Sequence, residues 1–196
     1  MSLANPPVYD GDSEPFILEL IDWFTASAGD RYSESVSQLD HALQCAYLAE
    51  DESASQTEIV AALLHDVGHI LMLKQRLEGK GDSRDLRHEH VGATWLERVF
   101  PKSVCEPIRL HVPAKRYLCA TDPGYWDTLS PGSKRSLQLQ GGPLDDEEVT
   151  AFEQLEFWRE AVALRQRDER GKRNGWEVPP MSHYRSALLA CVEPSR

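Results

Sequence analysis

The chain has 196 residues, a net charge of −11 and a pI near 5.1, a length that fits one domain able to bury a core without covalent staples. Hydrophobic residues make up 41% and charged residues 27%, an ordinary globular composition. So acidic a chain argues against nucleic acid as its main partner and against anionic membrane surfaces, but a few local cations suffice to hold a small anionic substrate.

The four cysteines, Cys45, Cys105, Cys119 and Cys191, include no close pair, so neither a zinc knuckle nor a dithiol redox motif is present. Cys45 and Cys191 lie in apolar helical stretches and read as buried thiols. No apolar run approaches the ~20 residues of a membrane span, and the first residues lack the basic-then-apolar pattern of a secretion signal. The expectation is a cytoplasmic protein with no membrane partner.

In chain order, residues 1–14 are rich in Pro, Gly and Asp and read as an irregular arm before a single domain. Pro15 to about Ala28 has Phe16, Leu18, Leu20, Ile21 and Phe24 on an apolar face, a helix stopped by Gly29. Val36 to Glu50 repeats Leu39, Leu43, Ala46 and Tyr47 at helical spacing. Gln56 to Val67, entered through Ser55 and Thr57, is apolar almost all round and should be the central buried helix. Residues 78–86 form a loop rich in Gly, Lys and Asp. Helices are expected at about 88–99 and 103–111, with a short helical piece at 114–121 and a Pro- and Gly-rich loop at 122–132. Ser133 to Gln140 reads as a helical turn. Asp145 to Arg167 reads as one long helix, acidic at its start and basic at its end, as its dipole favours. A short helix near Tyr184 to Val192 closes the chain. Nothing reads as paired strands; the fold class is all-α.

Six of the seven histidines fall between residues 41 and 111. A lone histidine on a helix is more often a satisfied core or surface residue than a ligand, but the clustering changes that. His65 and Asp66 end the most apolar helix, where imidazole and carboxylate are costly unless paired or bound to metal. His69 lies one turn beyond His65 on the same face. Imidazole and carboxylate without thiolate suit iron, manganese, zinc or another first-row ion. Four histidines and two aspartates exceed the needs of one ion and suffice for two, with Asp66 able to bridge.

His41, His65-Asp66 and the distant Asp168 resemble the ordered signature of the HD-domain superfamily, and His88 and His111 resemble the added pair of its two-metal members. A narrower resemblance covers almost the whole chain. The segments QLDHALQCAYLAE, AALLHDVGH, HEHVGA, HVPAKRYL, LQGGP, RDERGK and HYR are similar to the phosphonate-cleaving di-iron oxygenases of that superfamily. The resemblance implies a helical HD fold holding a mixed-valent pair of iron ions, one ferrous and one ferric, with dioxygen as co-substrate. It implies cleavage of a carbon–phosphorus bond in a small organophosphonate. The substrate would be 1-hydroxy-2-(trimethylammonio)ethylphosphonate, giving glycine betaine and phosphate, or 2-amino-1-hydroxyethylphosphonate, giving glycine and phosphate. The substrate would supply all four electrons, so no nicotinamide or ketoacid is required.

By the same resemblance, His41, His65, Asp66 and Asp168 would bind the first iron, and Asp66 would bridge to a second held by His88 and His111. His69, Lys115 and Ser133 would hold the phosphonate oxygens, and Glu34 would face the cationic nitrogen. Tyr32 would take the place of a labile ligand or lid residue. The resemblance also implies that His88 rather than His90 is the ligand, because His88 lies four residues before Gly92, as the family's ligand does. His90 and His183 are left as surface or structural residues. Tyr125 and Trp126, in a loop able to close over the site, would offer a trimethylammonium cation–π contact, which leans the substrate toward the trimethylated amine. The runner-up is a phosphohydrolase of the same fold, in which the metals activate water. A binding module with a vestigial site is the third reading. Oligomeric state is left open.

Overall fold

The computed structural model describes residues 4–29, 36–77 and 87–193, and every regular element among them is helical. These are α1 (Ser13–Ser27), α2 (Gln38–Asp51), α3 (Gln56–Leu64), α4 (Val67–Leu77), α5 (His88–Leu96), α6 (Lys102–Thr121), α7 (Tyr125–Thr128), α8 (Pro131–Leu139), α9 (Asp146–Phe152), α10 (Trp158–Arg170) and α11 (Arg185–Ala190). A 3-10 turn at Met181–Tyr184 leads into α11. No helix is long and apolar enough to cross a membrane among the described residues.

The centre is α3. Ser55 accepts from the Glu58 amide while Glu58 accepts from the Ser55 amide, a reciprocal cap that fixes where the helix starts. Val60 to Leu64 are then buried on every side, and α2, α6, α10 and α11 pack around them. Phe16, Leu20 and Phe24 of α1, Leu96 of α5, Ile108 of α6, Leu164 of α10 and Leu188 of α11 complete this core. Each such side chain contributes about 1.5–3 kcal/mol on burial. Two smaller clusters, Ala114–Leu144–Phe152–Ala161 and Leu118–Tyr125–Leu129–Leu137, fasten α7, α8 and α9 to the far half of α6 and to α10. Arg167 of α10 ties this helix to the opposite side, donating to Glu52 at 2.8 Å and Glu58 at 3.2 Å.

Several boundaries differ from the sequence reading. The arm ends at Asp12, which caps α1 by accepting from Glu14. The helix expected over Gln56–Val67 breaks at His65 and Asp66. There the His65 ring donates from Nδ1 to the Ala62 carbonyl at 2.9 Å and competes for an acceptor that helix continuation would use. The pieces at 103–111 and 114–121 are one helix, α6, with Pro107 and Pro113 inside it. Each proline forfeits one main-chain bond, and burial of Val112, Ala114 and Leu118 along the same stretch offsets that loss. The loop at 122–132 contains α7 and the first turn of α8. The long helix expected over 145–167 is two helices. Phe157 adopts left-handed backbone (φ 64°, ψ 17°), which a right-handed helix cannot carry through, and Phe152 packs edge-on to Trp158 across the break. Cys45 and Cys191 are buried thiols, as expected.

Candidate active site

Five elements converge on one polar pocket beside α3. His41 comes from the second turn of α2, His65 and Asp66 from the break between α3 and α4, His88 from the first turn of α5, His111 from the middle of α6 and Asp168 from the end of α10. His41, His65, His88, His111 and Asp168 are buried. Asp66 sits between them and divides them. Its Oδ2 lies 3.6 Å from His41 Nε2 and 3.5 Å from His65 Nε2. Its Oδ1 lies 3.3 Å from His88 Nε2 and 3.9 Å from both His111 Nε2 and His69 Nε2. Asp168 joins the first group, with Oδ1 3.3 Å from His41 Nε2.

The other edge of three of the imidazoles fixes their tautomer. His41 Nδ1 donates to the Gly171 carbonyl at 2.8 Å, His65 Nδ1 to Ala62 at 2.9 Å and His111 Nδ1 to Ile108 at 2.7 Å. With the proton on Nδ1, Nε2 carries a lone pair. Yet His41 Nε2 is 3.2 Å from His65 Nε2, and His88 Nε2 is 3.1 Å from His111 Nε2. Two ring nitrogens facing each other across such gaps need a shared proton or a cation between them, and a metal ion satisfies both at once. Two such pairs, joined by the two oxygens of one carboxylate, offer ligand atoms that could hold metal.

The electrostatics agree. Burial would raise the carboxyl of Asp66, but His65, His69 and His88 hold it well below the usual carboxylate range. Burial opposed by Arg165 and Lys172 does the same for Asp168. Burial lowers His65, and burial with His88 lowers His111 and brings His69 to about 3. Ionised carboxylates and neutral imidazoles are the forms that bind metal. His41 is the exception. Burial disfavours its charge, but Cys45 and Asp168 more than reverse this and raise it well above the ordinary value, so this spot favours a cation. Cys45 itself lies under the His41 ring, its Sγ 3.7 Å from Nδ1. Burial pushes its thiol up, and it donates to the Arg167 carbonyl at 3.7 Å. It packs as a thiol against the His41 ring, its Sγ also 3.9 Å from Nε2.

A second pocket of cations adjoins the first through Asp168. Arg165, buried, pairs with Asp168 through Nη1 and with Glu169 through Nη2, and donates from Nε to Tyr125 Oη at 2.8 Å and from Nη2 to Ser133 Oγ at 3.2 Å. Lys172 Nζ lies 3.4 Å from Asp168 Oδ1 and 3.0 Å from Ser133 Oγ. Ser133 donates to Glu169 Oε2 at 2.8 Å. Lys115, buried in α6, donates to Ser136 Oγ at 2.7 Å, and burial together with Arg165 lowers its pKa to about 8. Lys115 and Ser133, singled out from the sequence, thus belong to one charged network with Arg165, Glu169 and Lys172, which were not. Their signal was available: Arg165 stands one turn before Asp168 on α10, and Lys172 follows Asp168 by four residues, just past the end of that helix.

His69 stacks on His88, centroids 3.8 Å apart and planes at 13°. His90 is exposed and lies 3.5 Å from Arg109. His183 is exposed and pairs with Glu50 at 3.0 Å. The expected aromatic lid is not what Tyr125 and Trp126 form. Tyr125 is buried with its hydroxyl on Arg165, and the Trp126 ring is already faced by Lys134, 5.5 Å from its centroid. Tyr32 and Glu34 lie outside the described residues.

The HD domain family matches residues 39–152, a span that holds five of the six convergent residues and stops short of Asp168. The chain belongs to the HD-domain family. Relatives extend the likeness past the match. The hydroxymethylphosphonate dioxygenase of Gimesia maris is 47% identical, over 84% of this chain and 82% of its own length. The [1-hydroxy-2-(trimethylamino)ethyl]phosphonate dioxygenase (glycine-betaine-forming) of Leisingera caerulea is 42% identical, over 90% of this chain and 91% of its own length. An uncharacterized protein of Acanthamoeba polyphaga mimivirus is 30% identical over 97% of this chain.

Proposed function

We propose that this HD domain is a di-iron oxygenase of organophosphonate catabolism that cleaves the carbon–phosphorus bond of a 1-hydroxyphosphonate with dioxygen. The observation that carries the reading is the pairing of a two-metal donor set with an adjoining cationic pocket, in a chain whose relatives are named phosphonate dioxygenases. His41, His65, Asp66 and Asp168 hold the first ion, and Asp66, His88 and His111 hold the second. A mixed-valent iron pair, when bound, supplies dioxygen activation. The chain's own side chains do the rest. Lys115, Ser133 and His69 bind the phosphonate oxygens, with Arg165 and Lys172 supplying positive charge beside Ser133. Glu34 meets the substrate's cationic nitrogen, and Tyr32 serves as lid or labile ligand. The apolar walls of α3 exclude water from the reacting carbon.

The substrate favoured is 1-hydroxy-2-(trimethylammonio)ethylphosphonate, with 2-amino-1-hydroxyethylphosphonate second. Hydroxymethylphosphonate is a third candidate, supported by the 47% relative; the displacement of Tyr125 and Trp126 from the expected cage removes one argument for the trimethylated amine. The test loads the chain with iron without air, then admits air with each of the three phosphonates in turn, following phosphate release and oxygen uptake together. Equal phosphate and oxygen, fastest with the trimethylated substrate, is the expected result. Phosphate released from simple phosphate esters without oxygen would make the protein a hydrolase instead.

A further inference from the structure

The two halves of the donor set are unequal. The first has two imidazoles and two carboxylates, Asp66 and Asp168. The second has two imidazoles and only the far oxygen of the shared Asp66. The structure places a further carboxylate on that poorer side. Glu89 follows His88 in the first turn of α5 and is buried at 5% exposure. Its Oε2 is 3.4 Å from His88 Nδ1 and makes no hydrogen bond among the described residues. His41, His65 and His111 have neutral main-chain carbonyls behind them; behind His88 stands a charge.

A carboxylate buried without a strong partner costs several kcal/mol of solvation and is kept only where something nearby repays that cost. We propose that Glu89 is a positioning residue for the second metal site: it accepts from His88 Nδ1, holds the ring with Nε2 toward Asp66 and His111, and supplies the negative charge that this half of the donor set lacks. The His69 ring stacked on His88 restrains the tilt of the imidazole, while Glu89 restrains its rotation in plane and makes it the more basic ligand. This inference rests on the two-metal reading above.

The test is anaerobic titration of the metal-free chain with ferrous iron against a competing chelator, reading stoichiometry and the two affinities separately, with helix content by circular dichroism alongside. Wild type is expected to take two ions. Glu89→Gln should keep the first affinity and weaken the second by about 10–100-fold. Glu89→Asp, which keeps the charge but withdraws it by one methylene, should weaken the second ion by less, and it decides the matter if the glutamine variant does not fold. Arg98→Ala, at an exposed position just past the end of α5, should change neither affinity. Two ions bound by a folded Glu89→Gln or Glu89→Asp variant with wild-type affinities would overturn the inference alone. A wild-type chain that takes up a single ion would overturn the two-metal reading, and this inference with it.

Discussion

The main-chain carbonyl of His88 occupies the space that a side chain at Gly68 would need: a Cβ there would lie 1.9 Å from the oxygen. The first turn of α4 and the first turn of α5 touch backbone to backbone, and that contact carries His88 to Asp66. Gly68→Ala must push α5 away. The expected cost is about 1–3 kcal/mol of stability, together with a loss of metal at the second site. Thermal melting and metal content of the purified variant check both. A variant with normal metal content would show that α5 can move without moving His88.

Among the described residues, Asp66 is the carboxylate whose two oxygens face the two halves of the donor set. Asp66→Ala should therefore lose both ions and all turnover while keeping its helices, because the core lies along α3 and not in the pocket. Elemental analysis beside circular dichroism gives the answer. Retained iron and turnover would remove the bridging role.

Lys115 sets a pH limit. Its folded pKa, lowered to about 8 by burial and by Arg165, lies below the ordinary 10.5. The ammonium is present below about pH 8 and lost above it. If it holds a phosphonate oxygen, KM should be flat up to about pH 8 and then climb toward tenfold per unit. Lys115→Met should raise KM at pH 7 by roughly 10–150-fold, the loss of one charged hydrogen bond, and should flatten the climb. The stability effect has the opposite sense. A lysine with a depressed folded pKa costs stability while charged, and that cost is relieved as pH rises from about 8 to 10.5. An unchanged KM in the variant would take Lys115 out of the phosphonate site.

Arg165 neutralises Asp168 and Glu169 together. Arg165→Ala leaves Asp168 and Glu169 to share Lys172 and should cost about 3 kcal/mol, seen as a large fall in the melting temperature. Glu169→Gln is milder. It loosens Ser133, Arg165 and Lys172 from one another and should raise KM about tenfold, ~1.4 kcal/mol, with little change in metal content. A fall in kcat at constant KM would instead tie Glu169 to the metal pocket through Asp168.

Much of this protein is legible in one dimension. The apolar periodicity of α1, α2 and α3 follows from side-chain transfer out of water, which acts wherever the residues go, so these helices and their burial can be read directly. His65 and Asp66 stand out because imidazole and carboxylate are too costly to place at the end of an apolar helix without purpose, while His41, His88, His111 and Asp168 are named through the resemblance to the HD-domain oxygenases. Local signals failed where tertiary contacts set the outcome. Proline predicts a break, yet α6 runs through Pro107 and Pro113 because its flanks are buried on both sides of each ring. An amphipathic stretch predicts one helix over 145–167, yet the left-handed Phe157 divides it. Residue spacing says nothing about direction across 127 positions, from His41 to Asp168. Only the packing of α10 against α2 and α6 brings Asp168, and with it Arg165, Glu169 and Lys172, to His41 and Asp66. The same packing turns Tyr125 inward to Arg165 rather than outward to a ligand. The sequence determined which groups were available for chemistry; the tertiary structure decided which of them share a pocket, because convergence depends on long-range burial that no local pattern encodes.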